Sequence, residues 1–395
     1  MSECGNALSG FLTFRLLNTM KICHLTSAHP RNDVRIFEKE CVSLATRSDL
    51  EVCLLVADGK GFQKTNGVTI HDIGHRKGRF NRFFVRPFKM MKKAFSIHAD
   101  LIHFHDPELI FVGLVLKLMG KKVVYDVHED VPKSLQGREW LPKWMLKIIA
   151  FKFKLVEDLL SRAFDGIITA TPAISERFSK INSNTATIQN FPKIVVTEQE
   201  VIDFSKRNGI CYIGAISRIR GIIPLMDSLS YCHKEIQLHI AGSFINSSIE
   251  SEVRSHPNFA KVKFYGQLKR EELQAVYDQS FAGIIPFLPL PNHTESQPNK
   301  FFEYMEASLA VVASDFPLWK DLIERNGIGY CVNPEDSKAI AGAINTLFNE
   351  KTIAKEMGEK GRKLVHEKYN WETEKQKLFG FYSEFTQISE KSSRR

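Results

Sequence analysis

The chain has 395 residues, 43% hydrophobic and 25% charged, an ordinary balance for a globular protein long enough to hold two cores. No apolar run approaches the roughly 20 residues that span a bilayer, so a membrane-spanning helix is not expected. Lys and Arg number 54 against 45 Asp and Glu, a formal net charge of +9, and seven scattered cysteines without close pairs fit a reducing compartment better than a disulfide framework.

Residues 1–19 carry one brief apolar patch, Phe11 to Phe14, with no acceptable cleavage site after it. They read as a disordered leader outside the fold and not as a secretory signal, which makes a cytoplasmic location the expectation. From there, short apolar runs predict strands over 21–26, 51–57, 101–104, 122–127, 166–170 and 185–189, with an extra short strand at 68–74. Helices are predicted over 36–46 and 109–119, where apolar residues recur at three- and four-residue spacing.

Between residues 74 and 99 there is no acidic side chain. Arg76, Lys77, Arg79, Arg82, Arg86, Lys89, Lys92 and Lys93 are interleaved with Phe80, Phe83, Phe84, Phe88 and Phe95. Nucleic acid and anionic lipid both suit such a stretch. The phenylalanines favour lipid, because apolar side chains on a basic helix can enter the acyl boundary while cations meet headgroups. Arg76–Lys93 is therefore assigned to an anionic membrane surface, and no nucleic-acid partner is expected. The alternative is a solvated basic helix whose phenylalanines face the core. Trp140 and Trp144, close to Lys143 and Lys147, either extend this surface or belong to the core.

The pattern lapses near 190–208, a polar segment containing Pro192, and then restarts. Strands are predicted over 209–213, 237–241, 262–265, 281–286, 310–314 and 329–331, with helices over 270–279, 337–349 and about 371–388. The division expected is a first domain at 20–195, a linker at 196–208, a second domain at 209–368, and a C-terminal helix and tail at 369–395 that returns to the first domain. Strands alternating with helices imply parallel sheets covered on both faces. The fold class is α/β, two Rossmann-like doubly wound domains facing each other across a cleft that is the default binding site.

Three constellations carry chemistry. In the first, Pro298 stands where a helix begins, with Asn299 and Lys300 at its amino end, Glu295 in the preceding loop and Glu303 about a turn and a half inside. A helix start offers free N–H groups and partial positive charge to a diphosphate. A loop carboxylate there can accept bonds from sugar hydroxyls, and one further along can hold a ribose. Two glutamates at this spacing also arise by chance. In the second, Gly214, Arg218 and Arg220 follow the first strand of the second domain; glycine admits a ligand close to the backbone and arginine can hold phosphate bidentately. In the third, His105, Asp106 and Glu108 end one strand and Asp126, His128, Glu129 and Asp130 end the next. The loop His29–Asp33, with Arg31 and Asn32, follows the first strand at the same end.

His103 and His105 share a strand face, which also suits a metal-dependent hydrolase. Glu108 stands where that motif would place a further histidine, and no Asp-x-Asp metal-diphosphate signature occurs. No metal and no cofactor are expected.

The stretch PNKFFEYMEASLAVVASDFPLWKDLI, together with KICHLTSAHPRNDVRIFEKE, ADLIHFHDPELIFVGL and KKVVYDVHEDVP, resembles the family-4 retaining glycosyltransferases in their bacterial surface-polysaccharide, O-antigen and lipopolysaccharide branch. The resemblance runs from residue 20 to about 385. It implies the GT-B fold, with Glu303 on the donor ribose, Glu295 on the transferred sugar and His128 in contact with that sugar. Gly214, Arg218, Arg220, Pro298, Asn299 and Lys300 would bind the donor, while His105, Asp106, Arg31 and Asn32 would serve the acceptor side. The chain departs from the family where Ala215 replaces an arginine, where Arg220 replaces a lysine, and where Arg31 and Asn32 stand in place of glycines. Transfer with retention, without metal, is implied from a nucleotide sugar to a saccharide acceptor, polyprenyl-diphosphate-linked, at the inner face of the plasma membrane. A nucleotide-sugar epimerase of the same architecture, a metal-dependent hydrolase and a non-catalytic assembly partner are the alternatives.

Overall fold

The computed structural model describes residues 19–75, 78, 81, 85–136, 141–194 and 203–393. The leader up to residue 18, most of the linker assigned to 196–208, Trp140, and Arg76, Lys77, Arg79, Phe80, Arg82, Phe83 and Phe84 of the basic stretch lie outside the described residues. The chain divides into two compact units, Met1–Asn190 with Glu372–Arg395, and Phe191–Trp371.

The first unit holds an eight-stranded sheet in the order β3-β4-β2-β1-β5-β6-β7-β8. Its strands are β1 Met20–Leu25, β2 Leu50–Val56, β3 Gln63–Thr65, β4 Val68–Asp72, β5 Leu101–Phe104, β6 Lys122–Val127, β7 Gly166–Thr169 and β8 Thr185–Thr187. All pairings are parallel except β3 with β4. That hairpin turns on Asn66 and Gly67, both at positive φ (50° and 77°), as a two-residue loop between right-twisted strands requires.

Strand alternation sorts the two faces. Cys23, Leu25, Ile102, Phe104, Val123 and Tyr125 join one apolar cluster with Met90, Ala94, Leu109 and Leu116, so the helices Arg86–Ser96 and Ile110–Leu118 cover that face. The intervening residues, among them His24, His103, His105 and Asp126, point to the other face. There the segment Val34–Cys41 and the helix Trp371–Ser393 lie over them. Val34–Cys41 opens with Asp33 accepting from the amides of Arg35 and Ile36. It then winds wider than an α-helix, Glu38 N–H reaching back to Asp33 O at 3.1 Å. The predicted 36–46 helix thus begins two residues earlier and is α-helical only over Val42–Leu44.

The second unit is a six-stranded parallel sheet in the order β11-β10-β9-β12-β13-β14. The strands are β9 Gly209–Ile213, β10 Gln237–Ala241, β11 Val262–Gly266, β12 Ser280–Ile285, β13 Ala310–Ser314 and β14 Gly329–Val332. The predicted 270–279 helix is split into a 3₁₀ turn at Glu271–Leu273 and an α-helix at Gln274–Asp278. In each sheet the strand order reverses beside the first strand, at β1/β5 and at β9/β12, where the carboxyl ends of open α/β sheets offer a crevice. Among the described residues no helix is long and apolar enough to cross a membrane.

Candidate active site

In the second unit the site is built on close backbone approach. Gly214, directly after β9, has φ +131°, and Gly242, directly after β10, has φ +153°. A Cβ on Gly242 would stand 1.8 Å from Gly214 O, and one on Gly221 1.7 Å from Pro286 O, so side chains at these positions are sterically barred. A Cβ on Gly214 itself would lie 3.6 Å from a terminal nitrogen of Arg220 and 4.0 Å from Lys300 Cε. The open face of this glycine is therefore flanked by two cations. Arg220 is held there by its packing over the Phe287 ring, 5.4 Å from the centroid.

The helix Asn299–Glu306 is fixed to the same strand end. Ile213 N–H donates to Tyr304 Oη at 2.9 Å. The Tyr304 ring packs so tightly on Gly283 that any Cβ there would collide with it. Pro298 precedes the helix, at φ −56° and ψ 134°, one position earlier than its expected place as first helical residue. It provides no side-chain cap, so the first-turn amides keep the donor character and partial positive charge that an anion seeks. Glu303 is half-buried, accepts from Tyr277 Oη at 3.5 Å and pairs with Lys300. Glu295 is exposed in the loop, which Trp319 anchors by donating Nε1–H to Ser296 O at 2.7 Å.

Arg218 does not join this group. It is exposed and pairs with Glu252. The structure therefore brings Gly214, Arg220, Lys300, the Asn299 end of the helix and Glu303 together, and turns Arg218 toward a surface carboxylate. Nothing in the surroundings of Ala215 shows Arg218 supplying the charge absent there.

In the first unit the carboxyl ends of β1, β5 and β6 carry a continuous polar network. His128 Nε2 lies 2.8 Å from Asp126 Oδ2, and His105 Nδ1 lies 3.0 Å from the same oxygen. His105 Nε2 meets His24 Nδ1 at 2.9 Å, and His103 Nδ1 meets Tyr382 Oη at 2.6 Å. Arg35 bonds both Asp126 oxygens, at 3.1 and 2.9 Å, and donates to Ile188 O at 2.8 Å. Burial alone would push the Asp126 carboxyl up, but Arg35 and His128 beside it hold it well below the usual range. Glu40, 3.1 Å from Arg35, goes the other way: burial and the neighbouring Asp126 charge raise its carboxyl well above the ordinary value. Burial lowers His24, His103 and His105, keeping all three neutral.

Only His128 of this chain of groups retains appreciable exposure, 19% of its side chain. His105 is fully buried and acts on His128 through Asp126 without offering a surface for a ligand. Asp106 is likewise engaged, accepting from Thr26 Oγ1, Ser27 N and Ala28 N at 2.8, 2.6 and 3.2 Å. It shapes the loop that carries His29, whose ring lies 5.5 Å from that of His128. Arg31 is also turned inward: it forks onto Asp58 at 2.8 Å and donates to Gln63 and Gly61 O. The expected acceptor contacts at His105, Asp106 and Arg31 are thus positions where the side chain already has a scaffold role. Asn32 is exposed in the same loop.

Sequence reasoning passed over Arg35, Glu40, His24 and Tyr382. Arg35 and Glu40 share their segment with Glu38 and Lys39, so residue type alone did not single them out. Two groups have metal-ligating spacing among the described residues, His24 with Glu40, His103 and His105, and His105 with Asp126 and His128, each with ligand atoms within 4.8 Å.

Comparison with known proteins agrees with this architecture. Residues 41–191 match the family described as Glycosyltransferase Family 4, and residues 197–364 that described as Glycosyl transferases group 1. The capsular polysaccharide biosynthesis glycosyltransferase CapM of Staphylococcus aureus is 25% identical over 368 residues, 88% of this chain and 94% of the relative. Among solved structures, sucrose-phosphate synthase from Thermosynechococcus elongatus superposes with a TM-score of 0.73 at 17% identity, over 93% of this chain and all of that one. HepE of Anabaena in complex with UDP-glucose superposes with a TM-score of 0.69 at 16% identity, over 92% of this chain and all of that one. Two successive stretches of the chain thus match a Glycosyltransferase Family 4 model and a Glycosyl transferases group 1 model, and the fold is the GT-B fold.

Proposed function

We propose that this glycosyltransferase moves a sugar, with retention of anomeric configuration, from a nucleotide-diphosphate sugar onto a saccharide acceptor borne on a polyprenyl diphosphate during surface-polysaccharide synthesis. The observation that carries the donor half is the convergence of Arg220 and Lys300 on the open face of Gly214, beside the uncapped start of Asn299–Glu306. Two cations, bare backbone and helix amides together complement a diphosphate and its developing charge. Glu303 holds the ribose and Glu295 the transferred sugar. HepE, of like fold, was solved with UDP-glucose, and the relative CapM is named for capsular polysaccharide.

In a front-face reaction the C1–O bond to the β-phosphate breaks as the acceptor oxygen closes on the same face of C1. The acceptor proton passes to the departing phosphate oxygen, so no protein nucleophile is required. The donor cations stabilise the phosphate as negative charge grows on it. His128, held by Asp126 against rotation, positions the sugar. The acceptor is served by the first unit, with Asn32 exposed for contact. No metal ion takes part in this scheme.

The test is donor turnover with UDP-, GDP- and ADP-sugars, with and without a lipid-linked saccharide, and the anomeric form of the product read by NMR. Retained configuration in an acceptor-dependent product supports the proposal. Inverted configuration overturns it, and so does free epimerised sugar nucleotide formed without acceptor.

A further inference from the structure

The first unit presents apolar side chains straight into solvent on three neighbouring helices. On Lys143–Ser161 the core side is Leu146, Ala150, Glu157 and Ser161. Opposite it, Trp144, Ile148, Phe151, Leu155 and Leu159 recur at offsets of 4, 3, 4 and 4, a single outward stripe. Trp144 is 64% exposed and Phe151 67%. The adjacent helix Ile110–Leu118 repeats the pattern with Phe111, Val115 and Leu118, the last 79% exposed. Arg86–Ser96, packed on that helix in turn, adds Phe88 and Phe95. Scattered exposed apolar residues need no explanation, but aligned outward stripes on three contiguous helices do.

The charge around the stripes identifies what covers them. Lys143, Lys147 and Lys154 run along one flank of the Lys143–Ser161 stripe, Lys152 lies on the other, and Lys89, Lys92 and Lys93 belong to Arg86–Ser96. The carboxylates on these three helices are Glu157, buried against Arg177, and Asp158, shared by Arg177 and Lys154. A second copy of this face would bring the same lysines against one another. A bilayer with anionic headgroups takes both features at once, the stripes entering the acyl boundary and the lysines meeting phosphate.

We infer that this three-helix face is where the protein docks on an anionic lipid bilayer. The docking surface is thereby centred on Lys143–Ser161 and Ile110–Leu118, with Lys89, Lys92 and Lys93 of Arg86–Ser96 at its margin. The inference deepens the membrane-borne acceptor proposed above by naming the surface that meets the membrane, and its test reads docking without any sugar transfer.

The full chain is sedimented with vesicles of phosphatidylcholine alone and of phosphatidylcholine with phosphatidylglycerol, while tryptophan emission is recorded. Trp319 and Trp371 are buried already, so in a Trp140→Phe background a blue shift on adding vesicles reports on the exposed Trp144. Binding to the anionic vesicles with a blue shift is expected. A Ile148→Ser, Phe151→Ser, Leu155→Ser variant should lose at least roughly tenfold in partitioning, and so should Lys143→Glu, Lys147→Glu, Lys154→Glu. Hydrolysis of the sugar nucleotide in solution should stay at the parent rate in both, since none of these residues belongs to the donor site. Undiminished partitioning of the serine variant overturns the inference, as does a dimer in the parent that the serine substitutions abolish. Should docking be lost while sugar transfer fails in the parent as well, the catalytic reading falls and the docking face stands.

Discussion

Arg35 grips both carboxylate oxygens of Asp126, at 3.1 and 2.9 Å, in a pair from which solvent is excluded. Four nitrogens from three side chains converge on that one carboxylate, those of His105 and His128 included. Removing one partner of a buried pair leaves the other uncompensated, which costs about 3–5 kcal/mol. Arg35→Met is therefore expected to lower the thermal midpoint sharply. Asp126→Asn keeps the shape but changes what His128 bonds to, so it should lower turnover as well as stability. Thermal melts and donor kinetics on the two variants check this. A melt unchanged by Arg35→Met would show that the pair is not formed.

The same network sets a pH dependence. His24, His103 and His105 are held neutral in the fold, below the ordinary value of 6.5. A depressed folded value means that the unfolded chain takes up protons first. Stability is thus full above about 6.5 and falls as pH drops below it, each group contributing up to about 1.4 kcal/mol per pH unit. Glu40 has the opposite sign, its folded value being raised, so its contribution is present at low pH and lost as pH rises. Asp33, lowered to about 2, adds a separate loss below the ordinary carboxylate range. Thermal midpoints should fall from pH 7.5 to pH 5, three histidines outweighing one glutamate. A flat profile over that range would contradict their burial as neutral groups.

Tyr382 tests how the C-terminal helix is tied to this network. Its hydroxyl lies 2.6 Å from His103 Nδ1, and both side chains are inaccessible to solvent. Tyr382→Phe removes the partner while preserving the ring, leaving a buried imidazole nitrogen unpaired at a cost of about 1–3 kcal/mol. A modest fall in the denaturation midpoint with little change in helical signal is expected. A variant as stable as the parent would mean that His103 finds another partner.

The fold was legible because its strands are short apolar runs separated by amphipathic helices, and β5, β6, β9, β10 and β13 fall where periodicity puts them. β4 falls within the extra strand read at 68–74, but its hairpin partner β3 was missed although Asn66–Gly67 is a strong turn signal, because Gln63–Thr65 carries no apolar alternation. In the second unit, the nearness of Arg220 to Gly214 could be read from residue type next to a strand end. The engagement of Arg31 by Asp58 could not, since nothing in sequence announces a contact 27 residues away. For the same reason Arg218 and Arg220 look alike in the sequence, and only the position of Glu252 separates them.

That separation makes a contrast on the donor side. Arg220 flanks Gly214, whereas Arg218 serves an exposed pair worth about 0–1 kcal/mol at most. Arg220→Ala should lower donor turnover by roughly tenfold or more with folding intact, and Glu303→Ala likewise. Arg218→Ala should stay within about twofold of the parent. Steady-state kinetics with the preferred sugar nucleotide decide it. Parent-like rates for Arg220→Ala and Glu303→Ala together would remove the donor site from this corner of the sheet.

Whether the buried histidines hold a metal ion is decided by chelation. His24, Glu40, His103 and His105 have the donor atoms for a transition-metal site. Yet His105 has both ring nitrogens engaged, by Asp126 and His24, and His103 has one on Tyr382. Glu40, raised toward its neutral form, is a poor ligand until it loses its proton. The hydrogen-bonded arrangement predicts that exhaustive dialysis against a chelator leaves both turnover and the thermal midpoint unchanged. Elemental analysis should find well under one equivalent of transition metal per chain. A stoichiometric ion that Glu40→Gln expels, with a lowered midpoint, would replace the hydrogen-bonded network by a metal centre and reopen the hydrolytic reading.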